Sequence, residues 1–139
     1  MKVLGISAFY HDSAACLMVN GKIISAIQEE RFSRIKNDPS FPLESIRHCL
    51  KEANLSIDDL DAITYYEKPL LKFERLLYTY IRNAPSGFLS FLKAIPIWIK
   101  QKLLIRKVIK TELKKIDKYD TKKLKILFSK HHLSHAAST

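Results

Sequence analysis

The sequence predicts an α/β fold in which a mixed sheet opens with a three-strand antiparallel meander and then alternates with helices. Three observations predict it. Asn20-Gly21 joins two apolar runs, and both residue types tolerate the positive φ that a two-residue hairpin needs. Apolar residues recur at helical spacing over 43–53 and 69–83. Short apolar runs at 62–66 and 125–128 then read as further strands.

The meander comprises strands at 2–8, 14–19 and 22–29. The first link, residues 9–13, is a polar loop that carries His11 and Asp12. The helix at 43–53 follows a break at Pro39 and Pro42. The predicted order is therefore β-β-β-α-β-α-β, followed by the start of another helix. This is the ribonuclease-H-like order, which is also that of one lobe of the actin-like ATPases.

Residues 84–117 are predicted to form an inserted helical segment. The run 88–99 is apolar but contains Lys93 and Pro96, so it is too short to span a bilayer. Residues 101–116 form a basic amphipathic helix with an apolar stripe. This helix either packs its apolar side on the domain or lies on an anionic membrane surface.

The formal net charge of +10 favours an anionic partner: a nucleotide or other anionic substrate, a membrane face or a nucleic acid. Nucleic acid is the least favoured, because Phe88, Phe91 and Trp98 lie in apolar runs that look buried rather than ready to stack on bases. Cys16 and Cys49 are predicted to be buried free thiols, which suits a reducing cytoplasm. A homo-oligomer is compatible with the sequence.

His131 and His135 follow the predicted strand at 125–128. On a helix, residues four apart face the same way, so these imidazoles are placed to bind one divalent metal. Histidine ligation suits iron, zinc, nickel and copper. A third protein ligand is needed for a typical catalytic site. The alternative is a surface or structural pair of histidines.

His11 is a candidate catalytic residue in the first loop. A histidine there can act as a general base, orient an acceptor or stabilise developing negative charge. It can also be a loop residue that only bonds to Asp12 or Ser13.

Arg31, Arg34 and Lys36 cluster after the third strand, where they either bind phosphates or form an exposed basic turn. Glu29 and Glu30 are predicted to pair with these arginines; the alternative is that they act as acid–base groups.

Four stretches together resemble the N-terminal region of the carbamoyltransferases that include the nodulation protein NodU and the antibiotic carbamoyltransferases. They are residues 5–15 (GISAFYHDSAA), 28–36 (QEERFSRIK), 66–75 (YEKPLLKFER) and 131–138 (HHLSHAAS). The resemblance spans essentially the whole chain.

The resemblance implies a Kae1-like domain of the actin-like ATPase type, followed by a YrdC-like domain. The YrdC-like domain makes carbamoyl-adenylate from carbamoyl phosphate and ATP. The Kae1-like domain passes the carbamoyl group to a hydroxyl of a sugar or other small molecule. A divalent metal, iron in some members, is held partly by a His-x-x-x-His motif.

Carried over residue by residue, the resemblance makes His131 and His135 metal ligands and places His11 beside the transferred carbamoyl group. Asp12 and the basic residues Arg31, Arg34 and Lys36 are expected on the nucleotide side. Residues 1–139 then form a partial Kae1-like domain from the front of a longer protein. Without the rest of that domain and the YrdC-like domain, these residues are not expected to be catalytically competent. The alternatives are a non-catalytic nucleotide- or metal-binding lobe and a basic protein that binds membranes or nucleic acid.

Overall fold

The computed structural model describes residues 1–84, 104–130 and 133–134. It divides into two compact units, one of Met1–Glu67 with Lys110–Thr139 and one of Lys68–Ile109. The first unit contains the whole sheet.

The sheet has five strands in the spatial order β3-β2-β1-β4-β5. β1 pairs antiparallel with β2, and β2 pairs antiparallel with β3. β4 runs parallel to both β1 and β5. This mixed sheet with its opening meander confirms the predicted fold class. The strands are β1 (Lys2–Ser7), β2 (Ala14–Val19), β3 (Lys22–Gln28), β4 (Ala62–Tyr65) and β5 (Lys125–Phe128).

The hairpin between β2 and β3 has the predicted two-residue turn. Asn20 has φ +50° and Gly21 has φ +81°, the two positive values that the tightest hairpins require. The Asn20 N–H donates to the carbonyl of Met1 at 2.8 Å, which ties the turn to the start of β1.

Four α-helices accompany the sheet in the part of the chain that the structure describes, with a 3-10 helix at Ile57–Asp59. α1, a single turn, was not predicted, whereas α2 and α3 match the predicted helices. α4 is shorter than the predicted basic helix, and residues 85–103, with the apolar run 88–99, lie outside the described residues. The helices are α1 (Glu30–Ser33), α2 (Leu43–Glu52), α3 (Pro69–Asn83) and α4 (Ile105–Leu113).

The apolar stripe of α4 is buried. Ile105, Ile109 and Leu113 are at most 2% exposed, so they have no free surface to offer to a lipid interface. The burial of these three side chains disfavours the membrane-surface interpretation of the basic helix. Within the described part of the chain, no helix has the length and apolar character needed to cross a membrane.

The core of the first unit lies between the sheet and α2, which packs on β2 and β3. Ile46 and Cys49 of α2 are fully buried, as are Leu4, Leu17 and Ile63 of the sheet. Cys16 is half-buried, and both cysteines are free thiols. Burial raises the pKa of the Cys49 thiol, which suits a packing role rather than a reactive one.

Replacing Ile46 by alanine is expected to lower the free energy of unfolding by about 2–5 kcal/mol, because the fully buried site is left with a cavity. Urea unfolding measures the loss. The matched control is Ile23→Ala on β3, where the side chain is 65% exposed and the expected change is within about 0.5 kcal/mol. Equal losses in the two variants would contradict this description of the core.

Candidate functional site

The candidate site lies where the parallel strands end, at what is called here the carboxyl edge of the sheet. β1, β4 and β5 are mutually parallel, so their carboxyl ends meet there. The register pairs Ser7 with Ala14 and Ala14 with Gln28, which brings the start of β2 and the end of β3 to the same edge. Ligands of α/β proteins bind outside the carboxyl ends of parallel strands. The loop with His11 and the segment with Arg31 both begin at this edge.

His11 and Asp12 form a hydrogen-bonded pair on the first loop. His11 Nδ1 lies 2.7 Å from Asp12 Oδ2, and the side chains are 58% and 40% exposed. An ionised carboxylate can only accept, so Nδ1 carries the proton of the neutral ring and Nε2 keeps its lone pair. The second ring nitrogen of this exposed side chain is thus left with a lone pair, at the carboxyl ends of the strands. The same bond is also expected of a loop histidine without chemistry.

The loop that carries this pair is tied down at both ends. The Phe9 N–H donates to the Pro39 carbonyl at 2.9 Å, and the Ser13 N–H donates to the Asp38 carbonyl at 3.0 Å. Phe9 has φ +68° and Asp12 has φ +51°, a region that non-glycine residues seldom occupy. The two ties hold His11 between two left-handed residues, in a conformation that a free loop would not favour.

Asp38 belongs to the segment whose carbonyls accept these two hydrogen bonds, and its side chain stabilises that segment. Its side chain is buried, and Oδ1 accepts the Ser40 N–H at 2.8 Å. Hydrogen bonds from Ser33 first, and then from Ser40, hold the pKa of the Asp38 carboxyl below its usual range. The ionised form of Asp38 is therefore the one that stabilises this segment.

Asp38→Asn is expected to make the free energy of unfolding less dependent on pH under acidic conditions. Because the folded-state pKa is depressed, the Asp38 contribution is present above the unfolded-state pKa near 4 and is lost as pH falls through the folded-state value. Urea unfolding between about pH 5 and pH 2 should show a shallower loss for Asp38→Asn than for the unmodified protein. Ser33→Ala, which removes the hydrogen bond that lowers the pKa of Asp38 most, should fall between the two. Three identical slopes would contradict the assignment.

Glu29 was predicted to pair with the arginines, but its hydrogen bonds are made to other residues. Its buried carboxylate accepts hydrogen bonds from the Glu44 N–H at 3.1 Å, the Ser45 N–H at 2.8 Å and the Ser45 hydroxyl at 2.6 Å. These donors belong to the first turn of α2, so Glu29 caps that helix from a distance. The Glu29 N–H also donates to the Ser13 carbonyl at 2.8 Å, which joins the cap to the His11 loop.

Of the two acidic residues predicted to pair with these arginines, Glu30 does so. Its Oε1 lies 3.8 Å from Arg31 Nη2, and its Oε2 accepts the Asn37 N–H at 3.1 Å. Through these two contacts, Glu30 stabilises the basic turn that contains Arg34 and Lys36. Both of these basic side chains are exposed. Arg34 has φ +60° and ends α1.

A recess of about 730 Å³ begins at the edge and extends over one face of the sheet. Its lining includes small residues such as Gly5 and Ala26, and among the described residues Arg31 is the one cation that lines it. Of the predicted nucleotide-side residues, only Arg31 lines it. Asp12, Arg34 and Lys36 do not. The other described lining residues with hydroxyl or amide side chains are Ser7, Gln28, Thr64, Tyr65, Tyr66, Ser129 and Ser134.

Two further residues of this edge, Tyr66 and Glu67, had no predicted role. They follow β4 directly, so they lie at the carboxyl edge beside the His11 loop. The neighbouring Tyr65 hydroxyl donates to the Ala8 carbonyl at 2.8 Å, which fastens the end of β4 to the end of β1. Their placement depends on the parallel pairing of β1 and β4. A sequence argument that followed each strand to its carboxyl end would have found them.

The predicted metal ligands His131 and His135 lie outside the described residues, so their role stays a prediction. Within 1–84, 104–130 and 133–134, no three histidine, cysteine or acidic side chains come together as a metal site. β5 ends at the same edge as the His11 loop, and the Ser129 N–H donates to the Tyr65 carbonyl at 2.9 Å.

The fold and the site define an α/β lobe with a histidine–aspartate pair and a recess at the carboxyl ends of its strands. The sequence matches the protein family described as Carbamoyltransferase N-terminus over residues 2–139, and the chain belongs to that family.

Two curated relatives match nearly the whole chain. The Synechocystis protein sll1178, whose name calls it uncharacterized, is 51% identical over 137 residues, covering 98% of this chain and 22% of the relative. The nodulation protein NolNO of Sinorhizobium fredii is 35% identical over 135 residues, covering 95% of this chain and 18% of the relative. The chain therefore spans about a fifth of the length of these relatives.

Among solved structures, a Pseudomonas aeruginosa protein described as similar to the peptidase YeaZ aligns with a TM-score of 0.48 at 12% identity. The alignment covers 93% of this chain and 43% of that one.

Proposed function

We propose that residues 1–139 are the N-terminal part of an O-carbamoyltransferase. In this proposal, carbamoyl phosphate and ATP supply carbamoyl-adenylate, and the carbamoyl group passes to a hydroxyl of a sugar or other small molecule. The observation that carries the proposal is the His11–Asp12 pair, fixed at the strand edge in a chain of this family. The remaining parts of the site come from other segments of the longer protein, so residues 1–139 alone are not competent.

The proposed transfer requires one base and one leaving group. The acceptor hydroxyl oxygen attacks the carbamoyl carbon, and a new C–O bond forms. The bond from that carbon to the bridging oxygen of the adenylate breaks, and AMP leaves with the electron pair. His11 Nε2 takes the hydroxyl proton, while Asp12 holds the ring through Nδ1 and stabilises the imidazolium that results.

The basic residues have different places in this proposal. Arg31 lines the recess, so it is assigned to the phosphate of the adenylate, where a guanidinium binds two oxygens at once. Arg34 and Lys36 are exposed and outside the recess lining, so they contribute positive potential that attracts the nucleotide.

His131 and His135 are proposed to hold a divalent metal, with further ligands from other segments of the longer protein. Two imidazoles suit a late first-row ion such as iron or zinc. When bound, the metal would neutralise phosphate charge and orient the adenylate. A cytoplasmic location belongs to the same proposal, since both cysteines are free thiols.

A chimera tests the function: residues 1–139 replace the matching segment of the Synechocystis relative sll1178, with which they share 51% identity. The assay supplies radiolabelled carbamoyl phosphate, ATP and a panel of sugars, polyols and amines. The expected result is ATP-dependent label on at least one hydroxyl compound. Label found only on amines would contradict O-transfer, and so would failure of both the chimera and the unmodified relative with every acceptor.

A further inference from the structure

Residues 31–37, called here the exposed segment, are exposed along their whole length although two of them are large and apolar. Phe32 is 40% exposed and Ile35 is 58% exposed. Single exposed apolar residues are common on protein surfaces, but apolar residues rimmed by charged ones mark interaction sites. The rim here is cationic, because Arg34 and Lys36 flank Ile35 in the sequence. The exposed segment therefore presents apolar and positively charged side chains together.

Hydrogen bonds within the exposed segment fix its backbone. The Asn37 N–H donates to Glu30 Oε2 at 3.1 Å, and the Ile35 N–H donates to Ser33 Oγ at 3.3 Å. Arg34 and Asn37 have φ of +60° and +56°, so the chain turns sharply at both positions. A surface segment that is already ordered loses less conformational entropy when it binds a partner. The exposed segment is thus preorganised for contact.

The charge of the exposed segment is only partly neutralised within the described part of the chain. Glu30 pairs with Arg31 at 3.8 Å, whereas Arg34 and Lys36 have no ion pair among the described residues. A partner that carries carboxylates complements this charge. A second copy of the chain is a poor partner, because each copy has a formal net charge of +10. Aromatic residues and arginine are also the side chains that most often dominate protein–protein contacts.

We propose that the exposed segment is the docking surface for an acidic region of the longer protein to which these residues belong. The chain covers 22% and 18% of its two curated relatives, so most of such a protein lies outside residues 1–139 and supplies the partner. Phe32 and Ile35 fill an apolar pocket of that region, and carboxylates at the rim of the pocket pair with Arg34 and Lys36. Contacts between domains of one chain have this mixed apolar and polar character.

Thiol labelling tests the contact without any turnover. Ile35→Cys is made in the chimera and in residues 1–139 alone, and maleimide labelling at position 35 is followed by mass spectrometry of the peptides. Each rate is divided by the rate in denaturing urea, which removes differences in intrinsic thiol reactivity. Labelling should be at least about tenfold slower in the chimera than in residues 1–139 alone, because the reagent reaches a docked surface only when the contact opens. Ile23→Cys is the matched control, since Ile23 is 65% exposed on β3 and should label equally in both.

Lys36→Glu, added to the Ile35→Cys chimera, tests the charge of the partner. It should raise the labelling rate toward that of residues 1–139 alone, because it sets a negative charge against an acidic region, whereas Lys36→Arg should leave position 35 protected. An unchanged rate in Lys36→Glu would overturn the acidic partner.

Equal labelling at position 35 in the chimera and in residues 1–139 alone would overturn the docking surface. This is also the result expected if the exposed segment binds a separate protein or an anionic membrane. Protection that grows with protein concentration would mean a second copy of the chain and would overturn it as well. The labelling does not depend on the proposed reaction: if position 35 is protected but no hydroxyl acquires label in the transfer assay, the proposed function fails while the docking surface stands.

Discussion

Replacing His11 by glutamine is expected to lower kcat for carbamoyl transfer by the chimera by about 10²–10⁴-fold, the usual contribution of a general base. The amide keeps a polar group of similar reach but cannot take the proton from the acceptor hydroxyl. Formation of carbamoyl-adenylate, assigned to another domain, should be unchanged. The two steps are measured separately, as label on the acceptor and as ATP-dependent pyrophosphate release.

His48→Gln is the matched control for this prediction. His48 is on α2, where its ring is 5.8 Å from that of Phe32, and it has no part in the proposed chemistry. The chimera with His48→Gln should transfer carbamoyl at a rate within a factor of about two of that of the unmodified chimera. Substitutions away from special structural features usually change stability little. If His11→Gln transferred as fast as His48→Gln, His11 would not be the base, and the hydrogen bond to Asp12 would be only a feature of the loop.

Replacing Glu29 by alanine is expected to lower the free energy of unfolding by about 2–4 kcal/mol. The change leaves the Glu44 N–H, the Ser45 N–H and the Ser45 hydroxyl without their acceptor, and an unsatisfied buried donor costs about 1–3 kcal/mol. Urea unfolding of the protein measures the loss. Glu29→Gln keeps one carbonyl oxygen and should lose about half as much.

Glu52→Ala tests whether the Glu29 effect is specific. Glu52 is exposed at the end of α2, and its removal should change stability by less than about 0.5 kcal/mol. If Glu29→Ala lowered the free energy of unfolding no more than Glu52→Ala does, the hydrogen bonds from Glu29 to α2 would not stabilise the fold. They would then not stabilise the His11 loop either.

The strands and α2 were predictable because each has a local cause. The Asn20-Gly21 turn fixes the meander, and the apolar spacing that includes Ile46 fixes the helix. α1 was not predictable from periodicity, since it has four residues and leaves Phe32 40% exposed. A turn this short has no buried face to leave a pattern in the sequence.

The candidate site was predictable in part for the same reason. His11 and Asp12 are adjacent, so their pairing needs no knowledge of the fold. The ties from Phe9 to Pro39 and from Ser13 to Asp38 join residues far apart in sequence, and only the folded meander brings them together. Glu29 was assigned to the arginines because they are close in sequence, whereas the packing of α2 on β2 and β3 gave it better partners.

Carbamoyl transfer is proposed to take place at the carboxyl ends of these strands, beside His11. A crystal structure of the chimera with a stable phosphoramidate analogue of carbamoyl-adenylate, in which NH replaces the bridging oxygen, tests this placement. The acceptor oxygen must lie about 3–3.5 Å from the carbamoyl carbon and within hydrogen-bond reach of the base, so the carbon should lie within about 6 Å of His11 Nε2. A bound analogue whose carbamoyl group lies away from the His11 loop, in a chimera that transfers carbamoyl in solution, would contradict this placement.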